Sequence, residues 1–171
     1  MDLHLYAEEK KMTTVAKEKQ NVQANWPVER MQKEFTKMIA GKIISRLKLV
    51  ESGHQNAVDK FAEISAKQVA EMLKLNGVKT PLDLVKYMAE HQANLFGAKV
   101  QYAGDEKSAT LFNENPTVWL EAKRIANLTP QQEELMRKEY ENWKRNLAES
   151  LGFKAEVEID KSGSQVTFRK P

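Results

Sequence analysis

The placement of proline constrains this chain more than any other feature. Four of its five prolines stand where a helix can begin, because proline at a first helical position loses no hydrogen bond, and the fifth is the last residue. Asn25-Trp26-Pro27 opens an amphipathic pattern that runs to about Val50, with Val28, Met31, Phe35, Met38, Ile39 and Ile43 on one stripe. Thr80-Pro81 opens a helix closing at Phe96-Gly97, with Asp83 placed to complete a capping box. Asn115-Pro116 opens a shorter helix through about Ala126. Thr129-Pro130, with Gln132 in the same capping role, opens another that runs to Leu151-Gly152, on which Met136, Tyr140, Trp143 and Leu147 recur at helical spacing. Between the first and second of these, Gln55 to Leu75 reads as a helix with Val58, Phe61, Ala62, Val69, Met72 and Leu73 inward, bounded by Ser52-Gly53 and Asn76-Gly77.

Two stretches change to a period of two. Ala98, Val100 and Tyr102 alternate with Lys99 and Gln101, turn at Gly104-Asp105-Glu106 and return to Phe112. Phe153, Ala155, Val157 and Ile159 alternate with Lys154, Glu156, Glu158 and Asp160, and Lys161-Ser162-Gly163-Ser164 turns the chain into Gln165 to Arg169. Each hairpin follows a helix that ends in glycine. Gly97 to Phe112 matches Gly152 to Phe168 with one residue added, which reads either as a duplicated unit or as the common use of glycine at helix-to-strand junctions. A lone hairpin is marginal in water. The expected fold is therefore α+β: a four-stranded antiparallel sheet built from the two hairpins, one face covered by about five helices. Leu3, Leu5, Val15 and Val22 are too sparse for a stripe, so residues 1–24 read as an N-terminal arm or loose helix and 25–171 as a single domain.

Several chemistries are missing. There is no cysteine, which excludes disulfides, thiolate nucleophiles and Cys-ligated metals. With no signal-like segment and no apolar run of the ~20 residues a membrane span needs, the expectation is a soluble, unprocessed, cytoplasmic chain. The formal charge is +3 with signs interleaved, so no nucleic-acid footprint is expected. Ser65 to Leu84 imitates a helix-turn-helix, yet Pro81, Leu82 and Asp83 stand where donors to bases or phosphates should be. His4, His54 and His91 lack the spacing of a zinc protease, and the seven glycines form no phosphate loop, so neither metal nor cofactor is expected.

What remains is a set of polar-tipped rings. His91 follows Leu84 and Met88 and precedes Leu95 at helical spacing, which places it at the border of a buried face. Together with Tyr102 on the sheet's inward face, Trp119, Tyr140 and Trp143, it forms the candidate ligand-binding group; plain core packing is the other reading of the same residues. The favoured function is binding of a small, largely apolar organic molecule between helices and sheet, without established catalysis. One alternative is a homodimeric interaction protein built on the first helix, where Ile43, Ile44, Leu47, Leu49 and Val50 are apolar around much of the circumference, and on the arm. Another is a hydrolase using His91 with a nearby carboxylate.

From Phe96 onward the order of glycine, hairpin, Asn115-Pro116-x-x-Trp119 helix, long helix with Trp143, Leu151-Gly152 and a final hairpin ending Phe168-Arg169-Lys170 resembles the L-2-amino-thiazoline-4-carboxylate hydrolase-like family over about the last 75 residues. Members with this layout often carry a cysteine before the proline of the short helix, where this chain has Asn115. The resemblance implies the fold of this part and carries over no catalytic residue.

Overall fold

The computed structural model describes residues 24–160 and 163–171, so the arm expected over 1–24 lies, except for Ala24, outside the described residues. Five helices and four strands follow in the order α1 (Val28–Glu51), α2 (Gln55–Leu75), α3 (Pro81–Phe96), β1 (Val100–Gly104), β2 (Ser108–Asn113), α4 (Thr117–Ala126), α5 (Pro130–Ser150), β3 (Lys154–Asp160) and β4 (Gly163–Arg169). Both capping boxes form. Thr80 Oγ1 accepts from the Asp83 amide and the Asp83 carboxylate accepts from the Thr80 amide, and Thr129 and Gln132 do the same at α5. The Thr80 side chain first, and then the Lys79 and Thr80 amides, hold the Asp83 carboxyl below the ordinary aspartate range.

The chain has an α+β fold whose two hairpins join through their second strands into one antiparallel sheet of order β1-β2-β4-β3. In that register Leu111 opposes Val166, Ala109 opposes Phe168, and Val157 and Ala155 extend the same layer on β3. Helices α3 and α5 lie on this face, α3 over β1 and β2 and α5 over β3, while α2 packs behind α5, and α1 bridges α3 and α4. Burial of Leu84, Val85, Leu111, Leu147, Val166 and Phe168 makes the main core, and α2 adds Ala66, Ala70 and Leu73 to it. A second cluster, Ala40, Leu47, Ala122 and Met136, joins α1, α4 and α5. There Ile43 and Ile44 of α1 are packed partly out of water beside Leu47, while Leu49 stays exposed.

Several positions differ from the sequence reading. Gly163 and Ser164, expected in the second turn, already belong to β4, and Lys161 and Ser162 lie outside the described residues. The extra residue in the second hairpin also shifts its parity, so Phe168 points into the core while Phe112, opposite Gln165, is on the other face. On α1 the deeply buried residues are Thr36, Ala40 and Leu47, and Val28, Met31 and Met38 are exposed. On α2, Phe61 and Met72 face solvent instead of the core.

Gly163 is where the two hairpins meet most tightly. Its φ is +150°, and a Cβ there would collide with the carbonyl oxygen of Asn113 at the end of β2. Gly163→Ala is thus expected to cost about 2 kcal/mol, from strained backbone plus a displaced β2–β4 junction. Urea unfolding at unchanged m-value measures it; a loss within experimental error would show that the junction gives way freely.

Candidate functional site

The structure distributes the five candidate residues over several places. Tyr140 and Trp143 lie together on α5 and pack against the main core. Trp119 belongs to the second cluster, between α1 and α4. Tyr102 opposes Leu111, hence shares the inward face, but β1 is an edge strand and the ring remains 45% exposed. His91 is exposed. Its ring stacks on Tyr87 with centroids 3.9 Å apart, and Nδ1 lies 2.9 Å from the Tyr87 carbonyl oxygen. The reason is the roll of α3: its buried line is Pro81, Leu84, Val85 and Ala89, which turns His91 outward. Among the described residues no carboxylate is hydrogen-bonded to His91, and no three His, Asp or Glu side chains are grouped so as to hold a metal ion.

Around Tyr140 and Trp143 the structure adds a residue the sequence reading passed over. Lys144 is only 4% exposed, and its Nζ lies 5.0 Å from the Tyr140 ring centroid and 5.1 Å from that of Trp143. Burial, with no counter-ion among the described residues, pulls its pKa down to about 7. Burial also pushes the Tyr140 phenol up, with a hydrogen bond to Ser164 opposing the shift. Trp143 Nε1 donates to Ser65 Oγ at 3.1 Å, which ties α5 to α2. An amine that is half neutral near pH 7 is chemically a base or a nucleophile, but here it is buried beside two rings that pack on the core. The signal was present in the sequence, because Lys144 is one turn from Tyr140 and one turn from Ala148, inside the apolar stripe of α5.

Two grooves stand out among the described residues. The larger, about 660 Å³ between α2 and α5, is polar. Among its charges, Lys60 and Lys67 both bind Glu63 and hold its carboxyl down to about 2, and Arg145 pairs with Glu141. The smaller, about 400 Å³, runs along the seam of α1 and α3 and is lined by Trp26, Val28, Met31, Phe35, Met38 and Leu95. Its floor is well built. Gln32 Nε2 donates to the Asn94 carbonyl oxygen at 3.0 Å, and the Phe35 and Phe96 rings meet at 5.2 Å. At one end the Arg30 guanidinium sits 4.3 Å over the Trp26 ring. Expecting Met31 and Met38 on a core stripe hid this groove; the structure leaves them open because α4 and α5 take the opposite side of α1.

No family model matches the chain, and no curated protein or solved structure matches it significantly. Among the described residues, no helix is long and apolar enough to cross a membrane.

Proposed function

We propose that this chain is a non-catalytic binding protein that takes a small, largely apolar organic molecule in the groove between α1 and α3. The ligand class is that expected from the sequence, and the place moves from the helix–sheet interior to a helix–helix seam. The observation that carries the reading is the lining itself: six apolar side chains with Gln32, Glu34 and Asn94 as the polar minority, around about 400 Å³. That combination is typical of small-molecule sites, where apolar walls supply affinity and a few polar groups set orientation. Met31 and Met38 add an adaptable, polarisable surface suited to varied shapes.

Trp26 supplies its own reporter. In a chain carrying Trp119→Phe and Trp143→Phe, titration with 1-anilinonaphthalene-8-sulfonate should quench Trp26 saturably through energy transfer to the dye. Met31→Glu should then weaken the dye by about tenfold or more, the effect of losing ~1.4 kcal/mol of binding. Quenching that Met31→Glu leaves unchanged would contradict the assignment.

A further inference from the structure

Independently of that groove, β1 is an edge strand with an open side. Glu114 N donates to the Lys99 carbonyl oxygen at 3.0 Å, and Asp105 N donates to the Ser108 carbonyl oxygen at 2.8 Å, each extending the β1–β2 register by one position. Antiparallel bonding alternates along a strand. Gln101 and Ala103 therefore also turn their backbone groups to β2, and Val100, Tyr102 and Gly104 turn theirs away from it. Among the described residues nothing pairs with those outward groups, and the strand is exposed from Gln101 to Gly104. The other edge of the sheet is guarded, because β3 carries Lys154, Glu156, Glu158 and Asp160 along its exposed side. β1 has no charged residue, and charge is a common device that keeps an edge from pairing.

We propose that β1 pairs with β1 of a second copy, antiparallel about Tyr102, to make one continuous eight-stranded sheet. Tyr102 then exchanges both backbone bonds with the partner's Tyr102, and Val100 exchanges both with the partner's Gly104, for about six hydrogen bonds across a two-fold axis. Unpaired backbone calls for an extended chain, and the charges at the strand ends select this one. Lys99 precedes β1 and Asp105 follows it. Pairing about Tyr102 sets Lys99 opposite the partner's Asp105 at both ends, on one face of the sheet and about 5 Å apart at Cβ. Like charges stay apart: Lys99 and the partner's Lys99 are then ~20 Å from each other. A parallel copy would stack those two lysines. Sliding one strand by two residues in either direction loses about two of the bonds and parts Lys99 from the partner's Asp105. Both groups are available, since Asp105 uses Oδ1 for the Lys107 and Ser108 amides and Lys99 has no ion pair among the described residues. The neighbouring charges do not oppose the contact. Glu106 comes beside the partner's Ala98, Glu114 lies across Lys99 on the β2 side, and Lys107 is turned towards β4, where its carbonyl oxygen accepts from Lys170 N.

Full-length protein followed by light scattering from micromolar to millimolar concentration should reach twice its 19.6 kDa mass. Over the same range the amides of Val100, Tyr102 and Gly104 should gain protection from hydrogen exchange, while those of Gln101 and Ala103, already bonded to β2, change little. Tyr102→Pro removes an outward N–H and none of the β1–β2 bonds, so it should return the monomer without changing the far-UV circular dichroism. Lys99→Glu should weaken the dimer severalfold at low salt. The chain has no cysteine of its own, so register can be read by cross-linking. Gln101→Cys mixed with Ala103→Cys should form a disulfide under mild oxidation faster than either variant does with itself, because those two positions face each other across the axis. A monomer at every concentration would overturn the inference. So would a dimer that Tyr102→Pro leaves intact, or like-with-like cross-linking as fast as the mixed reaction.

Discussion

Replacing Lys144 by methionine is expected to stabilise the protein by about 4 kcal/mol at pH 7, a large fraction of the stability of an ordinary domain. The figure follows from the difference between a lysine pKa of 10.5 and the value of about 7 that burial imposes in the fold, at ~1.4 kcal/mol per unit. Two ring faces near 5 Å attract the ammonium, but they replace only part of the hydration it loses. The sign is fixed by linkage. Between pH 7 and 10.5 the unfolded chain holds the proton and the native chain releases it, so wild-type stability rises with pH across that window. Below pH 7 both states are protonated and the penalty is constant. Urea unfolding from pH 6 to pH 10 should therefore show a rising midpoint in the wild type and none of this contribution in Lys144→Met. A methionine variant less stable than wild type would mean that the amine has a partner the rings do not represent.

Phe168→Ala should produce a loss of comparable size, about 3–5 kcal/mol, and the protein should be largely unfolded well below the wild-type melting temperature. Phe168 is fully buried on β4, opposite Ala109 on one side and Ala155 on the other. Two small neighbours leave a cavity that neither strand can fill. Phe112→Ala, on the opposite face of the adjacent strand, should cost far less, and it separates loss of core from loss of sheet propensity. Equal losses from the two would show that the sheet is covered on both faces.

These two residues also show where the sequence was readable. Local chemistry was explicit: Thr80 with Asp83 and Thr129 with Gln132 announced helix starts because a cap is satisfied by residues three apart. The sheet was readable because each hairpin had one apolar side and neither could be stable alone. What the sequence did not settle was the roll of each helix. α2 is apolar on two faces, so periodicity placed Phe61 and Met72 inward when the packing against α5 required Ala66 and Ala70, whose small side chains admit close approach. His91 was misplaced for a related reason, as the run Leu84, Met88, His91 and Leu95 drifts off the line that the sheet covers. Lys144 escaped notice because charge is ordinarily read as solvent exposure, and only the neighbouring rings reveal that this lysine is inside. Polar-tipped rings read as inward therefore include Tyr140 and Trp143, which pack on the core, whereas Trp26, at the mouth of α1, reads from sequence only as part of a helix boundary.

Methionine methyl resonances test the binding site most directly, since the residues concerned report from different surfaces. In a chain labelled at its methionine methyls, addition of 1-anilinonaphthalene-8-sulfonate should shift Met31 and Met38 together and saturably, while Met136 in the second cluster and Met72 on the outer face of α2 stay in place. Unmoved Met31 and Met38 resonances beside a shifting Met88 or Met136 would place the ligand in the interior and contradict the groove.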